Sequence, residues 1–583
     1  MKIESGDVRI VDYTVLKRLF SFILPYKSRF YFLVFLILLG AILTPALPLL
    51  IQYTIDVPIA EGNHYKLSVS LVVMVILLLI NSILSFLNTY QAGWLSQRII
   101  NDIRNQVFSK IIHLKLKYFD ETPIGKIVTR TISDVETLSD VFSSGFAAIA
   151  GDLMQLILII SVMFFINWKL TLISISTIPL LLISTYIFKE KVKKSFNQVR
   201  NAVSNLNSFV QEHLSGMSLI QIFNVENEEF DKFEKLNKTH RKANIKSILY
   251  YSVYFPVADV ISALGVGLIV WYGTKGMISE EVSFGTITAF IMLINQFFKP
   301  IRMIADRINT LQMGVVSVSR IIEILDDHNF LKTTGKIDHK IIGDVQFKNV
   351  WFSYNEGTTI LKDISFQIKA GKSLAFVGTT GAGKTTIINL INKFYEIQKG
   401  TIEIDGINID DLDQNILRKQ LGLVLQDVFL FSGTIEDNLR LGDESITKEM
   451  IIEASKLVGV HNFILQLPND YGYKVMERGA TLSVGQRQLL SFVRAIIHKP
   501  KIIILDEATS SVDSETEELI QNAIEVLMKG RTSIIIAHRL STIQKADKIV
   551  VMEKGEIKEF GTQQELLDKN GIYSKLYDMQ FAT

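Results

Sequence analysis

Residues Ser373-Leu-Ala-Phe-Val377, Gly378-Thr-Thr-Gly-Ala-Gly383-Lys384-Thr385 and Ile387-Ile-Asn-Leu-Ile-Asn-Lys-Phe394 decide how this chain is read. The first run is a short apolar stretch suited to a buried strand, the last carries apolar residues at helical spacing, and a glycine-rich turn joins them. Gly378, Gly381 and Gly383 permit a tight turn whose backbone N–H groups, with the helix N-terminus, face an anion. Lys384 neutralises charge on the outer phosphates and Thr385 offers a hydroxyl to a metal ion. A glycine turn alone carries no function; strand, loop and helix in this order form a cradle for nucleotide phosphates.

A second apolar run, Lys501-Ile-Ile-Ile-Leu505, ends in Asp506-Glu507. In a parallel sheet this places two carboxylates at the edge where nucleotide phosphates sit. Asp506 suits holding Mg²⁺ through water, and Glu507 suits orienting or deprotonating the attacking water. A strand-ending acidic turn would be the preferred reading in isolation; beside a phosphate loop the functional one prevails.

Before residue 310 the sequence changes character. Overall the 583 residues are 48% hydrophobic and 21% charged, too apolar for an ordinary soluble enzyme of several domains. Phe30–Ile55, Leu67–Gln97 and Leu170–Phe188 are uncharged runs long enough to cross about 30 Å of hydrocarbon at about 1.5 Å per residue. Val141–Trp168 is interrupted only by Asp152, Ser247–Thr274 only by Asp259, and Val282–Phe298 stops at Lys299, which makes six spans. Loops Asp56–Lys66, Asn167–Lys169 and Gly273–Glu281 carry one basic residue each, whereas the alternate loops are rich in Lys and Arg, so the N-terminus and everything after the sixth span are expected in the cytoplasm. Lys17, Arg18, Lys27 and Arg29 among Leu16, Phe20 and Ile23 predict an amphipathic surface helix rather than a removable signal peptide. The balance of 61 Lys+Arg against 59 Asp+Glu gives no basic field for nucleic acid, and the absence of cysteine excludes disulfides, thiolate metal sites and thiol nucleophiles.

Leu482-Ser483-Val484-Gly485-Gln486, about twenty residues ahead of Asp506, resembles the signature motif of ATP-binding cassette (ABC) proteins. Other family elements follow in order: Tyr354 in WFSY, Gln426 in VLQDVFLF, Glu477-Arg478-Gly479, Ser511-Val512-Asp513 and His538 in IIIAHRLST. With six spans ahead of one cassette, the whole chain resembles an ABC exporter half-transporter. The implied fold is an α-helical membrane domain of six transmembrane helices with long cytoplasmic extensions over residues 1–325, a linker over 326–343, and an α/β P-loop cassette over 344–583.

The resemblance implies ATP and Mg²⁺ as cofactors and assigns roles. Glu507, His538 and Gln426 are catalytic; Thr385, Gln426 and Asp506 serve the metal. Tyr354 stacks on adenine. Gly378, Thr379, Thr380, Gly381, Ala382, Gly383, Lys384, Thr385 and Thr386 hold the phosphates. Ser483, Gly485, Gln486 and Asp513 belong to a second nucleotide surface, one that receives ATP held by the opposite cassette. Each of Tyr354, Gln426 and His538 would read as an ordinary surface or packing residue if it stood alone. The implied partner is therefore a second half-transporter, with coupling segments near Phe119–Val128 and Ile222–Phe230. The implied activity is ATP-driven export or leaflet flipping of amphipathic or lipid-like compounds from a bacterial inner membrane.

Val484 stands where the common family pattern has glycine. This leaves open a heterodimeric exporter with one weakened site beside the favoured homodimer; a peptide exporter and a nucleotide-gated channel are the remaining alternatives. Asp152 and Asp259 are costly in a membrane unless they face water or a partner. Pairing with Arg302 or Arg307 and exposure to a substrate cavity both remain as readings, and Tyr251, Tyr254 and Phe255 read as packing.

Overall fold

The computed structural model describes residues 13–142, 147–327, 335, 337–355, 357–506, 514–536 and 540–581. Glu507, Asp513, His538 and the side chains of Arg302 and Arg307 lie outside the described residues. The chain divides into two units: Met1–Ile112 with Pro123–His328, and His113–Thr122 with Asn329–Thr583.

In the first unit six helical stretches are long and apolar enough to span a membrane: Leu24–Ile59, His64–Ile111, Ala148–Ile166, Trp168–Ser215, Glu226–Ile278 and Phe284–Ile301. Each overlaps one predicted run. Lipid takes no hydrogen bonds from a backbone, so the apolar stretches must satisfy their own N–H and C=O groups as helices. Side-chain oxygens cap the turns between spans: Asn63 Oδ1 accepts from Lys66 N at 3.1 Å, Asn167 Oδ1 from Leu170 N at 3.0 Å, and Ser283 Oγ from Thr286 N at 3.0 Å. Asp56 closes this end by accepting from Ser283 Oγ at 2.6 Å and Gly285 N at 2.9 Å.

One boundary differs from the sequence reading. The last helix runs from Phe284 to Leu325 straight through Pro300, well past the expected end at Phe298. Beyond lipid the helix continues on contacts with the unit itself: Arg130 Nη2 meets Glu323 Oε2 at 2.7 Å, and Ser317 Oγ donates to Asp134 at 3.1 Å. The predicted N-terminal helix is present at Tyr13–Ser21, with Leu19 buried and Arg18 paired to Asp326 at 3.0 Å. Tyr254 does pack: it is buried, stacks on Phe188 at 4.0 Å and shares a hydrogen bond with Thr185 at 3.1 Å.

In the second unit a six-stranded sheet runs, in order, Glu556–Gly561, Lys548–Glu553, Ser373–Gly378, Thr532–Ile536, Ile502–Asp506, Leu421–Val424, parallel except at the first pair. The strand period of two sends Ala375, Val377, Ile503, Leu505 and Ile535 into one core. Leu374, Phe376, Ile502, Ile504, Ile534 and Ile536 enter the other. Both faces are covered, which is why these strands read as continuous apolar runs. An antiparallel sheet of four strands, Leu361–Ile368, Val345–Phe352, Lys399–Ile404 and Ile407–Asn408, packs on the second core.

Candidate functional site

The phosphate loop leaves the sheet at Gly378. This residue has φ +147°, and a Cβ there would lie 2.1 Å from Met552 O, so the position requires glycine. Gly383, at φ +101°, starts the helix Lys384–Ile391. Thr379, Thr380, Gly381 and Thr385 are exposed at the mouth, and Ala382, Gly383 and Lys384 are buried behind it. Lys384 Nζ donates to Gly378 O at 2.7 Å and Thr379 O at 3.1 Å. Burial holds its pKa below the usual lysine range, while the Asp506 carboxylate pulls the other way. A buried ammonium resting on two carbonyls of the loop is a cation poised for anionic oxygens, and this geometry fits a nucleotide's phosphates.

Asp506 closes its strand, is buried, and is in register with Ile536, which also pairs with Phe376 of the phosphate-loop strand. One strand therefore separates Asp506 from the loop, with strands about 4.8 Å apart. Gln426 lies exposed just past the end of Leu421–Val424, the strand neighbouring that of Asp506. Thr385, Asp506 and Gln426 thus share one edge of the sheet, and their oxygen-only donor set suits a hard cation such as Mg²⁺.

Tyr354 is tied to the loop's helix. Its hydroxyl donates to Thr386 Oγ1 at 3.2 Å and accepts from Asn389 Nδ2 at 3.1 Å. Thr386 is buried and turns inward to this bond, so its side chain supports the tyrosine from behind the loop. The tyrosine ring also meets Tyr395 edge-on at 4.9 Å. The sequence reading passes over Tyr395, whose only mark is an aromatic ring shortly after the phosphate-loop helix. In the structure its hydroxyl donates to Asp120, and Lys115 Nζ meets Glu396 Oε1 at 2.7 Å. Burial pushes the Tyr395 hydroxyl above the usual phenol range, and the bond to Asp120 reinforces this.

The expected coupling segment Phe119–Val128 is divided between the two units, Phe119–Thr122 falling in the second and Pro123–Val128 in the first. The extended Thr122 before Pro123 separates the helix Leu116–Glu121 from Ile124–Thr129. The second segment stays with the membrane unit, bends at Asn224 with φ +51°, and leaves Ile222 and Phe223 each 71% exposed.

The signature helix runs Val484–Ile497 with Ser483 as N-cap. Ser483 Oγ accepts from Gln486 N at 3.2 Å, and Gln486 Oε1 accepts from Ser483 N at 2.9 Å. Each side-chain oxygen thus accepts from the other residue's backbone N–H, a capping box that fixes the serine at the helix start and leaves its O–H free to donate. Gly485 is buried and Val484 is 48% exposed. Arg494, also missed, fixes the helix by donating to Asn438 O at 2.6 Å and Phe429 O at 2.8 Å.

Asp152 lines a cavity among the first three spans; Asp259 sits on an exposed face of the fifth.

Six membrane-spanning helices and a phosphate-binding α/β domain on one chain define a nucleotide-dependent membrane transporter. Residues 30–301 match the model of the ABC transporter transmembrane region, and residues 361–510 match that of the ABC transporter domain. An uncharacterized ABC transporter ATP-binding protein of Bacillus subtilis, YknV, is 38% identical over 97% of this chain and 94% of its own length. A Staphylococcus aureus ATP-binding/permease protein named for multidrug export is 35% identical over 97% of this chain and 100% of its own. A solved bacterial Atm1-family ABC exporter with ATP bound shares the fold, with TM-score 0.80 over 96% of this chain and 99% of that one at 24% identity. The chain belongs to the ABC transporter family: it is a multi-pass membrane protein of the exporter type whose cassette is an ATP-binding domain.

Proposed function

We propose that this protein exports amphipathic or lipid-like compounds, or flips them between leaflets, by alternating access powered by ATP. The cassette and N-terminus lie in the cytoplasm of a bacterial cell with the spans in its inner membrane. The single observation that carries the reading is the buried Lys384 ammonium in a glycine-shaped loop on the cassette of a six-span chain. Thr385, Asp506 and Gln426 would hold Mg²⁺, which supplies charge neutralisation at the phosphates. Glu507 orients the attacking water and His538 donates to the terminal phosphate; Tyr354 presents its ring to the adenine.

The signature helix of a second copy, with Ser483, Gly485, Gln486 and Asp513, completes each site. Closure of two cassettes then makes contacts available in only one state, the differential affinity that a conformational cycle requires. The name of the Staphylococcus relative supports an amphipathic, drug-like cargo.

Liposome reconstitution of this chain alone tests the reading. The wild type is expected to form dimers, hydrolyse ATP and respond to amphiphiles, while Glu507→Gln binds ATP and loses turnover by roughly 100-fold or more. Undiminished hydrolysis by the variant removes Glu507 from its role. A second reading, subunit of a heterodimer, is favoured only by Val484 in the signature; an inactive, monomeric preparation of this chain would establish it.

A further inference from the structure

Between the second and third spans the chain carries a π-turn, Arg130–Asp134, set between the helices Ile124–Thr129 and Val135–Asp140. It packs antiparallel to the last helix, Phe284–Leu325: Val141 lies opposite Gly314, Asp134 opposite Ser317 and Arg130 opposite Glu323. The approach is close, since a Cβ on Gly314 would lie 2.1 Å from Val141 Cγ2. Two ion pairs cross this contact: Arg130 Nη2 reaches Glu323 Oε2 at 2.7 Å, and Arg320 Nη1 reaches Asp134 Oδ1 at 3.3 Å. Both partners on the π-turn are buried, whereas the side chains of Arg320 and Glu323 are 51% and 66% exposed.

The same four charges have a second way to pair. Arg130 and Asp134 are four residues apart and Arg320 and Glu323 three apart, the two spacings at which side chains face one another along a helix. In the structure each reaches across to the other helix instead, and the buried Arg130 Nε and Asp134 Oδ2 have no hydrogen-bond partner among the described residues. An idle donor and an idle acceptor one turn apart are what a direct Arg130–Asp134 bond would use. Unpartnered buried polar atoms are rare and call for a reason, as does a π-turn, a geometry found mostly at functional sites.

We infer that Arg130, Asp134, Arg320 and Glu323 form a partner-exchange switch: pairing across the two helices holds their contact shut, and pairing along each helix lets it open. Removing the partner of a buried charge is heavily penalised, so a contact held by buried ions ordinarily resists separation. Exchange removes that obstacle, because the buried Arg130 and Asp134 take each other as partners while the exposed Arg320 and Glu323 turn to one another in water. Two pairs stand before the movement and two after it. The inference rests on the alternating-access reading, to which it adds a joint with two discrete arrangements. A fixed brace between the helices is the competing use of the same residues.

Hydrogen–deuterium exchange of the full-length protein in lipid nanodiscs tests the switch, read on peptides covering 130–140 with and without a bound, non-hydrolysable magnesium–ATP analogue. Wild-type exchange there is expected to differ roughly tenfold or more between the two conditions. The double variant Arg320→Glu with Glu323→Arg sets like charges across the contact and keeps opposite charges along each helix, so it should exchange fast in both conditions. Arg130→Glu with Glu323→Arg does the reverse: opposite charges stay across the contact, like charges are set along each helix, and exchange should be slow in both. Unchanged exchange in the fifth span reports that each variant is folded. Should the second variant misfold, the first, confined to half-exposed positions, decides alone, and slow exchange in it would overturn the switch. A wild-type rate indifferent to bound nucleotide, or two variants that shift exchange the same way, would establish a fixed brace instead. A nucleotide response with opposed variants but no stimulation of ATPase by amphiphiles would retain the switch and refute the export reading.

Discussion

The cassette presents two anion-facing surfaces built on opposite plans. At the phosphate loop the decisive charge is buried and lightly held: the Lys384 ammonium rests on two carbonyls, Gly378 O and Thr379 O, which a phosphate can replace. At the signature helix the frame is fixed and only the donors are in reserve. The Ser483 and Gln486 side-chain oxygens accept from each other's backbone N–H and Arg494 anchors the helix to Phe429 and Asn438, so the exposed end is a rigid face that still carries the serine O–H. The first surface is shaped to capture a ligand, the second is set as a rigid face. Under the proposed function, a single chain binds nucleotide at one end of its cassette and requires a second half-transporter for turnover.

The largest expected effect is at the capturing end. Lys384→Ala should lower ATP affinity and turnover by about 100-fold or more, roughly 2.7 kcal/mol, measured by nucleotide binding and phosphate release. Ser483→Ala removes the cap of the signature helix, worth about 1 kcal/mol of local stability. Its ATP affinity should stay within about twofold while turnover falls roughly tenfold or more, because the loss is felt only in the closed pair. Equal loss of binding in both variants would erase the distinction.

Much of this was legible in the sequence, for reasons that differ by region. The spans are legible because lipid admits only continuous apolar runs, and the phosphate loop because its three glycines sit between a strand and a helix. The end of the sixth span misleads because Lys299 looks like a stop, whereas Arg130–Glu323 and Ser317–Asp134 hold the helix together beyond it. The Ser483-x-x-Gln486 spacing spells a capping box, which a reading of the hydroxyl alone passes over. No local pattern announces that Tyr395 joins Asp120 to Tyr354, since those residues meet only through the tertiary fold.

That Tyr395 contact refines the capturing end. Tyr395→Phe deletes the donor to Asp120 while keeping the ring against Tyr354. The KM for ATP and basal hydrolysis should stay within about twofold, while the stimulation of hydrolysis by transported amphiphile falls by roughly half. Asp120→Asn should behave alike. A raised KM without loss of stimulation would mean that Tyr395 only supports the adenine-facing tyrosine.

The smallest effect at neutral pH is the most discriminating between the two ends. Burial lowers the pKa of Lys384, so in the free protein its proton leaves at a lower pH than that of an exposed lysine, about 10.4. Phosphate contact favours the ammonium and raises that pKa again, so binding takes up a proton in the window between the depressed and restored values. ATP affinity should therefore decline as pH rises through the depressed pKa, earlier than exposed lysine chemistry would allow. Lys384→Arg, whose guanidinium stays charged, should bind more weakly at neutral pH but flatten this decline. Ser483→Ala should leave the pH profile of binding unchanged, because a serine hydroxyl does not titrate in this range. Titration by calorimetry in buffers of different ionisation enthalpy separates proton uptake from binding; an unaltered profile in Lys384→Arg would show that the pH dependence arises elsewhere than at the captured phosphates.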